Sequence, residues 1–110
     1  MGETVVLHLL LTTDTTSDRK KWWVAQGLEL DLVAMGESPQ EAQAAFIQTL
    51  EARVLLAKKL GLPSPFHGIK KAPEHFWRAF NKGIPLPNQP VPYLPDDFQG
   101  PVPTLEARVA

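Results

Sequence analysis

Apolar positions fall into three kinds of pattern along this chain, and each predicts a different element. Thr4–Thr13 is almost continuously apolar, with Val5, Val6, Leu7, Leu9, Leu10 and Leu11. The run is short and starts on β-branched residues, so it predicts a buried strand rather than a helix. Asp14–Lys21 is wholly polar, with Thr15, Thr16, Ser17 and Asp18 supplying side-chain oxygens that stabilise turns, and it predicts a hairpin loop. Two more strands follow, over 22–30 and 31–35. In the first, Trp23, Ala25 and Gly27 share one face and Trp22, Val24 and Gln26 the other. A glycine in a strand interior marks a bulge or a close backbone approach, and Gly27 is such a position.

The period then changes from two to 3.6 residues. Ser38-Pro39-Gln40-Glu41 opens a helix: Ser38 caps it, Pro39 takes the first helical position, and Glu41 closes a capping box. Ala42, Ala45, Phe46, Thr49, Leu50, Val54, Ala57 and Leu60 form one apolar stripe, and Gly61 ends the helix in a left-handed conformation. Ile47, Leu55 and Leu56 lie off the centre of that stripe, so the apolar arc is wider than one sheet face requires. They are expected to meet either a partner or the C-terminal part of the same chain.

Residues 73–82 predict a short second helix, with Pro73 near its start, Gly83 after its end, and Phe76, Trp77 and Phe80 as anchors on one face. Seven of the nineteen residues from Pro85 to Pro103 are proline, which excludes helix and central strand and predicts an extended, partly polyproline II course. Thr104–Val109 repeats Thr49–Val54 letter for letter. A single match is not a repeat architecture, and the second copy is expected to form a short strand or a helical turn. The expected fold is α+β: a three-stranded antiparallel sheet packed on one long helix, a short second helix, and an extended proline-rich C-terminal tail. It divides into a domain over 1–83 and a tail over 84–110.

With 110 residues, 44% apolar and 21% charged, the chain has the size and composition of one globular domain. It contains no cysteine, so disulfides, thiolate metal sites and a cysteine nucleophile are excluded, and a cytoplasmic location is expected. No apolar run approaches the roughly 18 residues that a membrane span needs. Net charge is only −1, but its distribution is uneven. Residues 1–52 hold eight acids and three bases, 53–82 one acid and seven bases, and 83–110 three acids and one base. Lys58, Lys59, Lys70, Lys71 and Arg78 in the basic middle are candidate nucleic-acid contacts. The alternative is a solvated helix end, where cations complement the macrodipole.

Little in the sequence suggests catalysis. His8, His67 and His75 stand far apart, without the spacing of a metal site. Glu29, Asp31, Glu37 and Glu41 cluster at the junction of sheet and helix, where carboxylates can hold magnesium or serve acid–base chemistry, but capping and solvation account for them more simply. There is no glycine-rich phosphate loop, nucleophile elbow or zinc-protease signature. Neither catalytic residues nor a metal or cofactor are therefore expected. Trp22, Ile47, Leu55, Leu56 and Trp77 are the candidate partner-binding residues.

The run Trp23-Val24-Ala25-Gln26, followed by Glu29, Asp31, Ala34 and Gly36 and then Ser38 with Glu41-Ala42, resembles the N-terminal domain of HicB-like antitoxins. Ala72-Pro73-Glu74-His75-Phe76-Trp77 resembles the ending of a short single-domain branch of that family. The likeness covers residues 4–82. It implies a partial ribonuclease-H-like fold, a hairpin and third strand packed on the helix, without the carboxylate set of ribonuclease H. It also implies a partner, a small toxin ribonuclease that the protein masks, and assembly as a homo-oligomer. Many family members add a C-terminal DNA-binding unit. The proline-rich stretch after Gly83 cannot supply a recognition helix, so operator binding is not expected of this chain.

Overall fold

A computed structural model describes residues 4–15, 19–86, 94 and 102–110. Five strands and two helices occur among them: β1 (Thr4–Thr15), β2 (Lys21–Gly27), β3 (Val33–Gly36), α1 (Pro39–Leu60), α2 (Glu74–Asn81), β4 (Ile84–Pro85) and β5 (Val102–Val109). The strands form one mixed sheet in the order β3-β2-β1-β5-β4. β1 runs antiparallel to β2, with Leu11 opposite Ala25, and parallel to β5, with Leu7 opposite Leu105.

The continuous apolar run of β1 follows from its central place. Leu7, Leu9 and Leu11 point to one face, where they join Ala25, Ala34, Phe46, Ile47 and Leu50 in the main core beneath α1. Leu10 points to the other face and joins Leu28, Ala72 and Phe80 beneath α2. Cover on both faces accounts for the successive apolar residues Leu9, Leu10 and Leu11, whereas Val6, on the face of Leu10, is 45% exposed. None of the helices is long and apolar enough to cross a membrane among the described residues.

The caps of α1 form as their chemistry requires. Ser38 Oγ accepts from the Glu41 amide at 3.1 Å, and Glu41 Oε2 accepts from the Glu37 amide at 2.8 Å. Gly61 ends the helix at φ 66°, with the Leu62 amide donating back to the Ala57 carbonyl at 2.9 Å. Close approach of sheet and helix depends on two glycines. A Cβ on Gly36 would lie 2.5 Å from the Ala42 amide nitrogen, and one on Gly27 would lie 2.9 Å from the Phe46 ring.

The architecture departs from the expected one in its sheet. The antiparallel meander β1–β3 is present, but it is part of a mixed five-stranded sheet, and residues 102–109 lie in that sheet rather than in an extended tail. The reason is hydrogen bonding: β1 is flanked by β2 on one side, and its other row of backbone groups needs a buried partner, which β5 supplies over eight residue pairs. Strands from both sides of the 83/84 boundary therefore belong to one sheet. Pro85 and Pro103 sit in β4 and near the start of β5, while most of the proline-rich stretch between them lies outside the described residues, as do positions 16–18 of the hairpin loop.

Smaller corrections concern ends and faces. β2 stops at Gly27 because the chain turns there, with the Gly27 amide donating to the Leu32 carbonyl at 2.8 Å, so β3 starts two residues later than expected. Ile47, expected off the stripe, is core at 7% exposure, because the buried side of α1 extends along the row Gln43, Ile47, Leu50 and Val54. Leu60, expected in the stripe, is 62% exposed.

Candidate interaction surfaces

The face of the sheet that carries α2 holds a polar cluster built from four elements. His8 on β1 bonds through Nδ1 to Glu29, and its amide donates to the same carboxylate at 2.7 Å. His8 Nε2 lies 3.6 Å from Glu106 on β5, whose carboxylate also pairs with Arg108 at 3.3 Å. Arg108 Nη1 donates to the Phe80 carbonyl at 3.2 Å, and its guanidinium lies 4.4 Å from the centre of the Phe80 ring. The His8 ring meets Phe80 edge-on at 5.1 Å and Trp77 at 6.0 Å. Charge-assisted bonds and ring contacts thus clamp α2 to the sheet. Arg108 Nε is the exception among the cluster's polar atoms, buried without a hydrogen-bond partner. With the other polar atoms engaged in these pairs and no hydroxyl or thiol nucleophile in the network, the arrangement serves positioning. Among the described residues, no group of three or more His, Asp or Glu side chains is placed to hold a metal ion.

The four carboxylates of the sheet–helix junction have separate tasks. Glu29 holds His8, Asp31 accepts from Gln26 Nε2 at 2.7 Å, Glu37 pairs with Lys20, and Glu41 completes the cap of α1. Asp31, Glu37 and Glu41 remain exposed. Glu29 and Asp31 lie in the turn between β2 and β3 and Glu37 and Glu41 at the start of α1, and the four carboxylates are engaged with four different groups.

The predicted partner-binding residues also separate. Trp77 is half-buried against His8, and Ile47 is core. Leu55 and Leu56 are exposed on the C-terminal half of α1, joined there by Leu60. Trp22 is half-buried on β2, with the Lys20 ammonium 4.4 Å from its ring centre. Beside it lies a surface that sequence reasoning missed. β3 is the terminal strand of the sheet, and Val33 and Met35 stand 50% and 44% exposed on the face opposite α1. Val24 pairs with Met35, so Trp22, Val24, Val33 and Met35 share that face. The apolar cluster under α2 includes no residue of β3, so α2 leaves this part of the sheet open. The available signal was the alternation Val33-Ala34-Met35-Gly36, in which small residues serve the helix face and larger apolar ones face away from it.

The candidate nucleic-acid contacts are distributed over different layers. Lys58 and Lys59 lie in the last turn of α1, Lys70 and Lys71 in the connection to α2, and Arg78 on α2, on the opposite face of the sheet from α1. Arg78 pairs with Glu74 one turn away at 3.5 Å, and the Lys70 carbonyl accepts from the Asp31 amide at 2.7 Å. Basic residues contiguous in sequence do not form a single stripe.

Comparison with family models, curated proteins and solved structures finds no match to this chain.

Proposed function

We propose that this protein is a non-catalytic, cytoplasmic protein-binding module of the HicB-like antitoxin type, which binds and masks a small toxin ribonuclease. The observation that carries this reading is the packing of the β1–β3 meander on α1, with the motif residues at its joints: Gly36 against the first turn, Ser38 and Glu41 in the cap, Ala25 and Ala34 beneath the helix. That is the arrangement implied by the resemblance to a partial ribonuclease-H-like domain. The dispersal of the junction carboxylates into separate structural bonds supports a binding role over a catalytic one. Homo-oligomeric assembly is part of the same reading, with exposed Leu55, Leu56 and Leu60 as the apolar surface available for it. The test is purification of the tagged protein from its own cells, followed by mass spectrometry and a ribonuclease assay of what is bound. A stoichiometric small basic ribonuclease, silent in the complex and active once released, is the expected result. Recovery of the protein without any ribonuclease overturns the proposal.

A further inference from the structure

We infer that the outward face of α1 is the seam of a two-fold dimer, in which the helices of two copies of this chain pack antiparallel. This rests on the homo-oligomeric part of the proposed function and names the surface and its occupant. On the side of α1 turned away from the sheet, Glu41, Ala45, Gln48, Ala52, Leu55 and Lys59 recur at intervals of four and three residues. That is the heptad spacing of a coiled-coil seam, and it extends over about 27 Å of helix. Ala45 is half-buried and the other five are exposed, Leu55 to 57%, with Leu56 beside the seam at 44%. The sheet uses the opposite side of the helix, through Ala42, Phe46, Leu50 and Val54.

Side-chain size and charge within the seam select a second copy as its occupant. Antiparallel pairing about the midpoint of the seam sets Gln48 opposite the second copy's Ala52, Ala45 opposite its Leu55, and Glu41 opposite its Lys59. Each contact then occurs twice, as a two-fold interface requires. Every leucine meets an alanine, which leaves room for it, and the seam's two charged positions, Glu41 and Lys59, meet with opposite sign at both ends. Parallel pairing would instead set leucine against leucine, leave alanine facing alanine, and place like charges together at each end. Antiparallel helices also bring each positive end of the macrodipole beside a negative one. The other charges nearby stand outside the seam. Arg53 donates to the His67 carbonyl at 2.6 Å. Glu51 and Lys58 lie on one flank, each with a partner within its own chain. Pairing brings the two Glu51 side chains together only at the rim, where solvent and salt screen them. Arg19, Lys20 and Lys21 belong to β2 and the residues before it, with Lys20 paired to Glu37 and Lys21 over the Trp23 ring.

The test uses the full chain. Sedimentation equilibrium should show a species of twice the chain mass of 12.2 kDa. Ala52→Glu, at an exposed position, should keep the helix content and abolish the dimer. Adding Gln48→Lys to that variant should restore it, because each new lysine then faces the second copy's new glutamate, whereas Gln48→Lys with Ala52→Lys should stay monomeric. The chain has no cysteine, so cross-linking reports the register directly: a mixture of Gln48→Cys and Ala52→Cys chains should form disulfides between the two variants faster than either variant forms them alone. An unaltered chain that is monomeric at every concentration overturns the inference, whatever the variants do. So does a dimer that Ala52→Glu leaves intact, or one in which each cysteine variant cross-links faster alone than in the mixture. A chain that dimerises through this seam but masks no ribonuclease loses the antitoxin reading alone. A monomeric chain that masks a ribonuclease loses this interface alone.

Discussion

Replacing Gly36 by alanine tests how tightly the sheet and the long helix are joined. A methyl group there would sit 2.5 Å from the Ala42 amide nitrogen, 2.6 Å from the Glu41 carbonyl carbon and 2.7 Å from the Glu41 Cβ. Non-bonded carbons rest at about 3.5–4.0 Å, so the shortfall is about 1 Å, against backbone on the main approach. That backbone is the first turn of α1, held by the Ser38 cap and by Pro39, and it cannot move alone. Either the helix shifts from β3 and loosens Ala42, Phe46 and Ala34, or the strand end twists. Overpacking costs about 1–3 kcal/mol, occasionally more, and a backbone obstacle places this case near 3 kcal/mol. At about 2.1 cal/mol/K per residue of unfolding entropy, that cost lowers the melting temperature by roughly 13 °C. The control is Gly61→Ala. There a Cβ meets nothing within 4 Å, but the residue has φ 66°, so the cost is conformational alone, about 1–2 kcal/mol. Thermal and urea unfolding followed by circular dichroism measures both. Gly36→Ala should be the more damaging, and asparagine should rescue position 61 in part. If Gly36→Ala melts within 2 °C of the unaltered protein, or costs less than Gly61→Ala, the proposed helix–sheet contact is wrong.

Two further outcomes follow from the core and the cap. Leu105→Ala should cost about 2–5 kcal/mol in urea unfolding, comparable to Leu50→Ala, because both side chains are buried in the same cluster; a silent Leu105→Ala would return residues 102–109 to the status of a tail. Ser38→Ala should cost about 1 kcal/mol and Ser38→Asp much less, since the aspartate oxygen can also accept from the Glu41 amide; equal losses in the two variants would exclude the cap as the cause.

What could be read from the sequence was local. The Ser38-Pro39-Gln40-Glu41 start and the Gly61 stop of α1 are encoded within a few residues, and the structure forms both. The hairpin was legible because Trp23, Ala25 and Gly27 alternate with Trp22, Val24 and Gln26, and the α2 anchors because Phe76, Trp77 and Phe80 share a face. Surfaces were less legible. Leu55 and Leu56 were identified from their place off the stripe, whereas Ile47 by the same argument is core, because periodicity marks the centre of a buried arc but not its width. Val33 and Met35 were missed because an apolar residue on a strand looks the same whether or not a helix covers its face.

The hexapeptide Thr-Leu-Glu-Ala-Arg-Val separates the two kinds of information. At 49–54 it is helical, with Leu50 and Val54 buried one turn apart; at 104–109 it is a strand, with Leu105 and Ala107 buried alternately. Its own propensities are the same in both places and decide neither. The first copy continues a helix already nucleated by the Ser38 cap, so each residue adds a hydrogen bond at little further entropic cost. The second follows Pro101 and Pro103, which withhold the amide hydrogens a helix would use, and it lies beside the unpaired edge of β1, whose eight-residue ladder repays its extension. Local chemistry alone determined where α1 begins and ends. The mixed sheet, the second cover on β1 and the open face at β3 were decided in the tertiary structure, because backbone groups and apolar surface far apart in sequence find their partners only there.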